Sequence, residues 1–196
     1  VYHITADDFW DSGVFIDIGA NIGAVSLYVD SLNHDRDEDK PVIKSYAIEP
    51  EPHNLKFLEK NVKDNPTTEH LTVVPNAVWH TEGTMQISNR GGNASVFKHP
   101  KNGGYSPVEA ITLEQVFARF EITEADVVKI DIEGAEYDLI LKTPVTVLQR
   151  IKYLTLEFDA CDDGRFGLMV DKLSRIFGIQ ILGSPERGGY IYGRRY

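Results

Sequence analysis

The chain has 196 residues, 42% of them apolar and 26% charged, with a formal net charge of -10, the composition of a soluble protein large enough for one α/β domain with a substantial core. That acidic balance argues against a protein held to nucleic acid by clustered Lys and Arg, and no apolar run reaches the ~20 residues of a membrane-spanning helix. The single cysteine, Cys161, excludes an intramolecular disulfide and a zinc site built on several thiolates, and fits a reducing, cytoplasmic setting. The sequence opens on Val1 without methionine or a signal-peptide pattern, so the expectation is one domain over 1–196 taken from a longer chain.

Short apolar runs alternate with longer segments of helical period, the pattern of βαβ units feeding a mostly parallel sheet. Residues 14–18 read as a buried strand and 24–32 as a helix packing through Val25, Leu27, Tyr28 and Leu32. After a solvated, acidic loop at 33–40, a second strand is expected at 44–48. Pro52 suits the first turn of the next helix, whose apolar face is Leu55, Phe57, Leu58 and Val62. A third strand is expected at 71–75 and a further one at 84–88. Residues 90–105 are Gly- and Asn-rich and aperiodic, a loop that is a candidate lid. Thr112 with Gln115 three residues on is a capping-box pattern ahead of the stripe Leu113, Val116, Phe117 and Phe120. Strands follow at 125–131 and 151–158 with a helix at 135–141 between them, then a helix at 166–177 and a closing antiparallel hairpin at 180–182 and 190–192.

The strongest local signal is Asp17-Ile18-Gly19-Ala20-Asn21-Ile22-Gly23, where an apolar strand turns into a helix. Glycine lets backbone approach a ligand closely there, and the helix start offers unpaired N–H donors, so a nucleotide-like ligand is expected. Glu49 ends the next strand, where an acid can accept from both hydroxyls of a ribose. Asn76 closes the third strand and could read an adenine edge with its amide or the backbone beside it. The rival for each is a plain turn residue, but together they fall at the carboxyl ends of successive strands, where open α/β sheets bind ligands.

At these residues the chain resembles the FkbM family of S-adenosylmethionine-dependent methyltransferases. The similarity rests on F-I-D-I-G-A-N-I-G from Phe15 to Gly23, A-I-E-P from Ala47 to Pro50, N-A-V from Asn76 to Val78, and V-K-I-D-I-E-G-A-E from Val128 to Glu136, in family order. It implies a Rossmann-like class I methyltransferase fold: a seven-stranded, mostly parallel sheet with one antiparallel strand and helices on both faces. It further implies S-adenosyl-L-methionine as cofactor, with Asp17, Gly19, Ala20, Asn21, Gly23 and Asp131 toward its methionine and ribose, Glu49 and Pro50 at the ribose, and Asn76, Ala77 and Val78 at the adenine. The acidic loop at 33–40 is longer than the family pattern.

Methyl transfer is an in-line displacement at a sulfonium, and a carboxylate near it both offsets that charge and accepts a proton. Asp131 stands at the end of the fourth strand beside the cleft, and Glu133 and Glu136 share a face if both lie in the helix start. In one reading Asp131 or Glu133 is the general base, its proton affinity raised by like-charged neighbours; in the other these acids cap the helix or structure the loop. Lys129 is placed to pair with one of them, and Glu157 to face the cleft. The six histidines are scattered and no metal is assigned.

An NAD-dependent oxidoreductase is disfavoured because Asn21 stands where G-x-G-x-x-G needs glycine, and a base-amino methyltransferase by the lack of an N-P-P-Y or D-P-P-Y segment. A nucleic-acid methyltransferase of another type and a Rossmann-like binding module without catalysis are the alternatives. The expected reaction is O-methylation of a hydroxyl on a small-molecule or carbohydrate acceptor chosen by residues 90–105 and 161–167.

Overall fold

The computed structural model describes residues 2–34, 36–37, 39–65, 68–88, 104–161 and 163–196. A run of Val, Phe and Ile offers solvent almost nothing, and β1 (Val14–Ile18) is buried at every residue. It pairs in parallel on both sides, with β2 (Lys44–Ile48) and β7 (Ala125–Ile130). The sheet extends in parallel through β3 (Leu71–Val74) beyond β2 and β8 (Ile151–Phe158) beyond β7. At the far side β10 (Gly188–Arg195) runs antiparallel between β8 and β9 (Phe177–Ser184), giving the order β3-β2-β1-β7-β8-β10-β9. This is the expected seven-stranded class I methyltransferase sheet with one reversed strand.

Strand alternation divides the core between the two faces. Ile16 and Ile18 pack with side chains from α3 (Leu113–Arg119), α4 (Glu136–Lys142) and α6 (Arg165–Ser174). Phe15, on the other face, packs with Val29 of α1 (Ala24–Ser31), and Ala47 packs with Leu58 of α2 (Pro52–Asp64). Ile16 is fully buried, so truncation to Ala costs about 2–5 kcal/mol. The segment leading into β1 is anchored on the α1 face by Ile4 and Phe9, both buried.

Local signals set the helix starts. Glu51 precedes α2 and accepts from the Asn54 N–H at 2.7 Å, with Pro52 in the first turn, while Thr112 and Gln115 exchange the two capping-box bonds ahead of α3 at 2.8 and 3.1 Å.

A second, three-stranded sheet, ordered β4-β6-β5, joins β4 (Ala77–Val78), β5 (Gly83–Ser88) and β6 (Tyr105–Ile111). The strand expected at 84–88 therefore belongs to this sheet rather than the main one, and Tyr105, expected in a loop, begins a strand. Residues 90–103 of the candidate lid lie outside the described residues, as does Asp162 of the segment expected at 161–167. α5 (Val145–Leu148) was not expected. The last helix stops at Ser174 because Phe177 already pairs with Arg195, and the closing hairpin strands run eight residues each rather than three.

Candidate active site

The parallel strands all end on one edge, and a cleft of about 670 Å³, its open mouth included, lies at the carboxyl ends of β1, β2 and β7, where open α/β sheets bind ligands. Gly19 and Asn21 line it from the turn after β1, Glu49 and Pro50 from the end of β2, Asn76, Ala77 and Val78 from β4 and the turn before it, and Asp131 and Glu133 from the exit of β7.

The turn is shaped by its own packing as much as by any ligand. Gly19 has φ +79°, and a Cβ there would fall 1.8 Å from the Asp131 carbonyl oxygen; Gly23 has φ +89°, and a Cβ there would fall 2.5 Å from Leu58 Cδ1. The expectation that these glycines clear space for a ligand needs this correction: they clear space for β7 and α2. Gly19 still reaches the cleft, but Gly23 caps α1 and does not line it, and Ala20 is buried in the core with Ala47, Leu58 and Leu71. Asn21 takes a left-handed φ of +53°, which Asn tolerates better than most residues.

That conformation aims the Asn21 N–H at Glu49, whose carboxylate accepts it at 2.8 Å and accepts the Glu51 N–H at 2.9 Å. The Asn54 amide approaches the same carboxylate at 3.4 Å. Glu49 is 5% exposed, and burial pushes its carboxyl up to about 7 against the pull of these donors. Each carboxylate oxygen has two acceptor sites, so capacity remains for donors from the cleft, as a ribose diol would supply.

Beside Glu49 the wall turns apolar. Ile48 is joined by Ala77 and Val78 of β4, by Trp79 directly after it and by Met85 and Ile87 of β5, a surface suited to the faces of a purine. The Asn76 side chain donates to the Glu109 carbonyl at 3.2 Å and accepts from Arg119 at 3.2 Å, so its amide is committed to holding β4 near β6. The sequence does not single out Trp79, Met85 and Ile87, because nothing local marks β5 or the turn after β4 as a wall of this cleft.

The opposite wall is acidic. Asp131 follows β7 and its N–H donates to the Ile18 carbonyl at 3.0 Å. Its Oδ2 accepts from the Tyr2 phenol at 2.8 Å, and the same phenol lies 3.0 Å from Glu157 Oε2. Lys129 Nζ lies 3.0 Å from Asp17 Oδ1 and 3.6 Å from Asp131 Oδ2 and donates to the Gly19 carbonyl at 2.8 Å. Burial opposes the Lys129 charge, and Asp17 and Asp131 outweigh it, holding the ammonium above its ordinary value. Asp17, expected beside the cofactor, is fully buried beneath α1, where it accepts from Ser26 Oγ at 2.6 Å; it does not line the cleft, because β1 alternation turns it toward Lys129.

Glu133 and Glu136 do not share a helix face. Glu133 sits before α4 with φ +56° and lines the cleft, whereas Glu136 points away from it and accepts from the backbone N–H groups of Ile132 at 2.8 Å and Gly134 at 2.9 Å. Glu136 is 1% exposed, and burial pushes its carboxyl up to about 7, with Asp159 and Asp131 adding to the backbone-opposed shift. Its geometry is that of the loop-structuring alternative rather than of a base facing an acceptor. Among the described residues, no three or more His, Cys, Asp or Glu are grouped to hold a metal ion, and no helix is long and apolar enough to cross a membrane.

This strand order, with a cleft at the carboxyl edge of the sheet, is that of the class I methyltransferase fold, the fold of enzymes that use S-adenosylmethionine as methyl donor. The sequence matches the family described as the Methyltransferase FkbM domain over residues 17–182, and the chain belongs to that family. No curated protein matches it. The structure is similar to methyltransferase FkbM from Methylobacillus flagellatus KT, at 16% identity and a TM-score of 0.56 over 94% of this chain and 44% of that one. It is similar also to precorrin-6y C5,15-methyltransferase from Geobacter metallireducens GS-15, at 15% identity and TM-score 0.52 over 97% of this chain and 84% of that one. A third similarity is to the human methyltransferase 10 domain containing protein, at 13% identity and TM-score 0.56 over 98% and 75%. At these identities the likeness is one of fold. The chain spans less than half the length of the Methylobacillus protein.

Proposed function

We propose that the chain transfers the methyl group of S-adenosylmethionine to a hydroxyl of a small-molecule or carbohydrate acceptor, with Asp131 taking the proton. Asp131 carries this reading: it lines the cleft at the end of β7 while Tyr2 and Lys129 fix its carboxylate from behind. The donor, when bound, supplies a methyl group on a positively charged sulfur. Glu49 would accept its ribose hydroxyls, Ile48, Val78 and Met85 would enclose its base, and Asn21 and Gly19 would flank its amino-acid end. Asp131 then stands where the acceptor approaches, as an anion that complements the sulfonium and a base that removes the hydroxyl proton as the new oxygen–carbon bond forms. A group positioned in this way contributes typically 10²–10⁴-fold.

The acidic wall favours neutral hydroxylated acceptors over phosphate backbones, whose recognition needs cations. The test is label transfer from S-adenosylmethionine carrying a radioactive methyl group to a panel of oligosaccharides, polyols and small phenols, with RNA as the comparison. The expected result is label in an alkali-stable ether on a hydroxylated acceptor. Label on RNA bases, or on no acceptor while donor binding is intact, overturns the reading in favour of a nucleic-acid enzyme or a binding module.

A further inference from the structure

The Tyr2 phenol lies within hydrogen-bonding distance of two carboxylates, 2.8 Å from Asp131 Oδ2 and 3.0 Å from Glu157 Oε2, yet a hydroxyl has one proton to donate. Burial and the two acids push the phenol well above its ordinary range, so it stays a hydroxyl. With both carboxyls ionised the three oxygens hold one proton between two contacts, and the array is one proton short. Methyl transfer to a hydroxyl releases one proton.

The position of Tyr2 is built. Ile4 and Phe9 bury its segment in the α1-face core, Tyr28 donates to the Ile4 carbonyl at 3.2 Å, the Tyr190 ring meets the Tyr2 ring edge-on at 6.0 Å, and Lys129 Nζ lies 5.2 Å above it.

We infer that Tyr2 is a positioning residue for proton removal, its oxygen accepting from Asp131 once that acid is protonated while its own proton turns to Glu157. The inference rests on Asp131 being the proton acceptor of the proposed reaction. The acceptor's O–H bond breaks as its oxygen–carbon bond forms, the carbon–sulfur electron pair returns to sulfur, and the proton lands on Asp131. The array Asp131–H, Tyr2 O–H, Glu157 carboxylate then has a proton in each contact, and releases the extra one to solvent when the product leaves.

Other charged or titratable groups face this array from every side: Lys129 from β7, with Asp17 of β1 behind it, Glu136 at the start of α4, and on β10 Tyr190, whose phenol is hydrogen-bonded to Glu157, and Tyr192, which feels the Glu157 charge. None is altered in the variants below, so differences report the array itself.

The experiment measures kcat and acceptor KM for label transfer to the hydroxylated acceptor identified above, with S-adenosylhomocysteine affinity beside them, in the unsubstituted chain, Tyr2→Phe, Glu157→Gln and the joint variant. Tyr2→Phe keeps the ring and removes the hydroxyl, so kcat is expected to fall about tenfold while acceptor KM and S-adenosylhomocysteine affinity stay within twofold. Glu157→Gln removes the group that takes the Tyr2 proton, so it should lower kcat in the unsubstituted background and add no further loss once Tyr2 is Phe, as residues acting through one array do. A Tyr2→Phe kcat within twofold of the unsubstituted chain, a loss expressed in KM alone, or losses that multiply in the joint variant overturns the inference; if Tyr2→Phe does not fold, the kcat of Glu157→Gln decides. Failure of the unsubstituted chain to bind S-adenosylhomocysteine, or to label any hydroxyl, is the separate outcome that removes the methyl-transfer reading, and this inference with it.

Discussion

Asn21 donates its backbone N–H to the Glu49 carboxylate at 2.8 Å, so the turn after β1 and the acid at the end of β2 form one unit. Parallel pairing of Ile18 with Ile48 brings the two strand ends side by side, and the Gly19 and Ala20 N–H groups both donate to the Ile48 carbonyl at 3.0 Å. A ligand that touches Glu49 is therefore held by the geometry of both strands.

The buried carboxyls make stability and binding respond to pH in opposite senses. Glu49 and Glu136 both lie near 7 in the fold, up from 4.5. A raised folded value means that the unfolded chain releases protons first, so the ligand-free protein should lose stability as pH rises from about 4.5 to 7 and level off above. Ionised Glu49 is the better acceptor for a ribose diol, so the rise in Tm on adding S-adenosylhomocysteine should grow across the same window. Thermal melts with and without the ligand at a series of pH values check both signs.

Asp131 and Glu136 should separate cleanly by mutation. Asp131→Asn is expected to leave S-adenosylhomocysteine binding within a few-fold and to lower methyl transfer by roughly 10²–10⁴. Glu136→Ala strands the Ile132 and Gly134 N–H groups in a buried loop and should cost about 1–3 kcal/mol of stability for each. Denaturant unfolding beside a transfer assay distinguishes them; equal loss of stability in both variants contradicts the assignment.

Lys129 is predicted to matter for the fold before it matters for the reaction. Its removal leaves Asp17, fully buried, without the cation 3.0 Å away, and breaking a buried pair from one side costs about 3–5 kcal/mol. Lys129→Met should lower Tm by roughly 10 °C, whereas the joint change Asp17→Asn with Lys129→Met should recover part of that loss. Equal melting of the single and joint variants contradicts the pairing.

How much of this was legible follows from how local each signal is. The bend after β1, the position of Glu49 at the end of β2 and the capping box of Thr112 and Gln115 could be read because each is a short local pattern, and the mostly parallel sheet followed from the alternation of runs, while the number of strands and the reversed one came from the family resemblance. β6 was not legible: Pro107 discourages a strand reading, and it is tolerated because, among the described residues, β4 pairs only with Ala110 and Ile111, leaving the stretch near Pro107 as an edge. Tyr2 carries no motif, and its role arises when the fold sets it against Asp131 and Glu157, 129 and 155 residues away in the chain. Glu136 was ambiguous for a related reason, since the left-handed turn at Glu133 and Gly134 that bends its carboxylate onto the backbone is not written in residue spacing.

Calorimetric titration of S-adenosylhomocysteine into the chain and into Glu49→Ala is the most direct measure of whether the joined strand ends grip an adenosine. Loss of hydrogen bonds from two ribose hydroxyls to a charged acceptor, at about 1.5–3 kcal/mol each, predicts affinity lowered by at least ~100-fold. Equal affinity in the two proteins, or no heat of binding to either, contradicts the account.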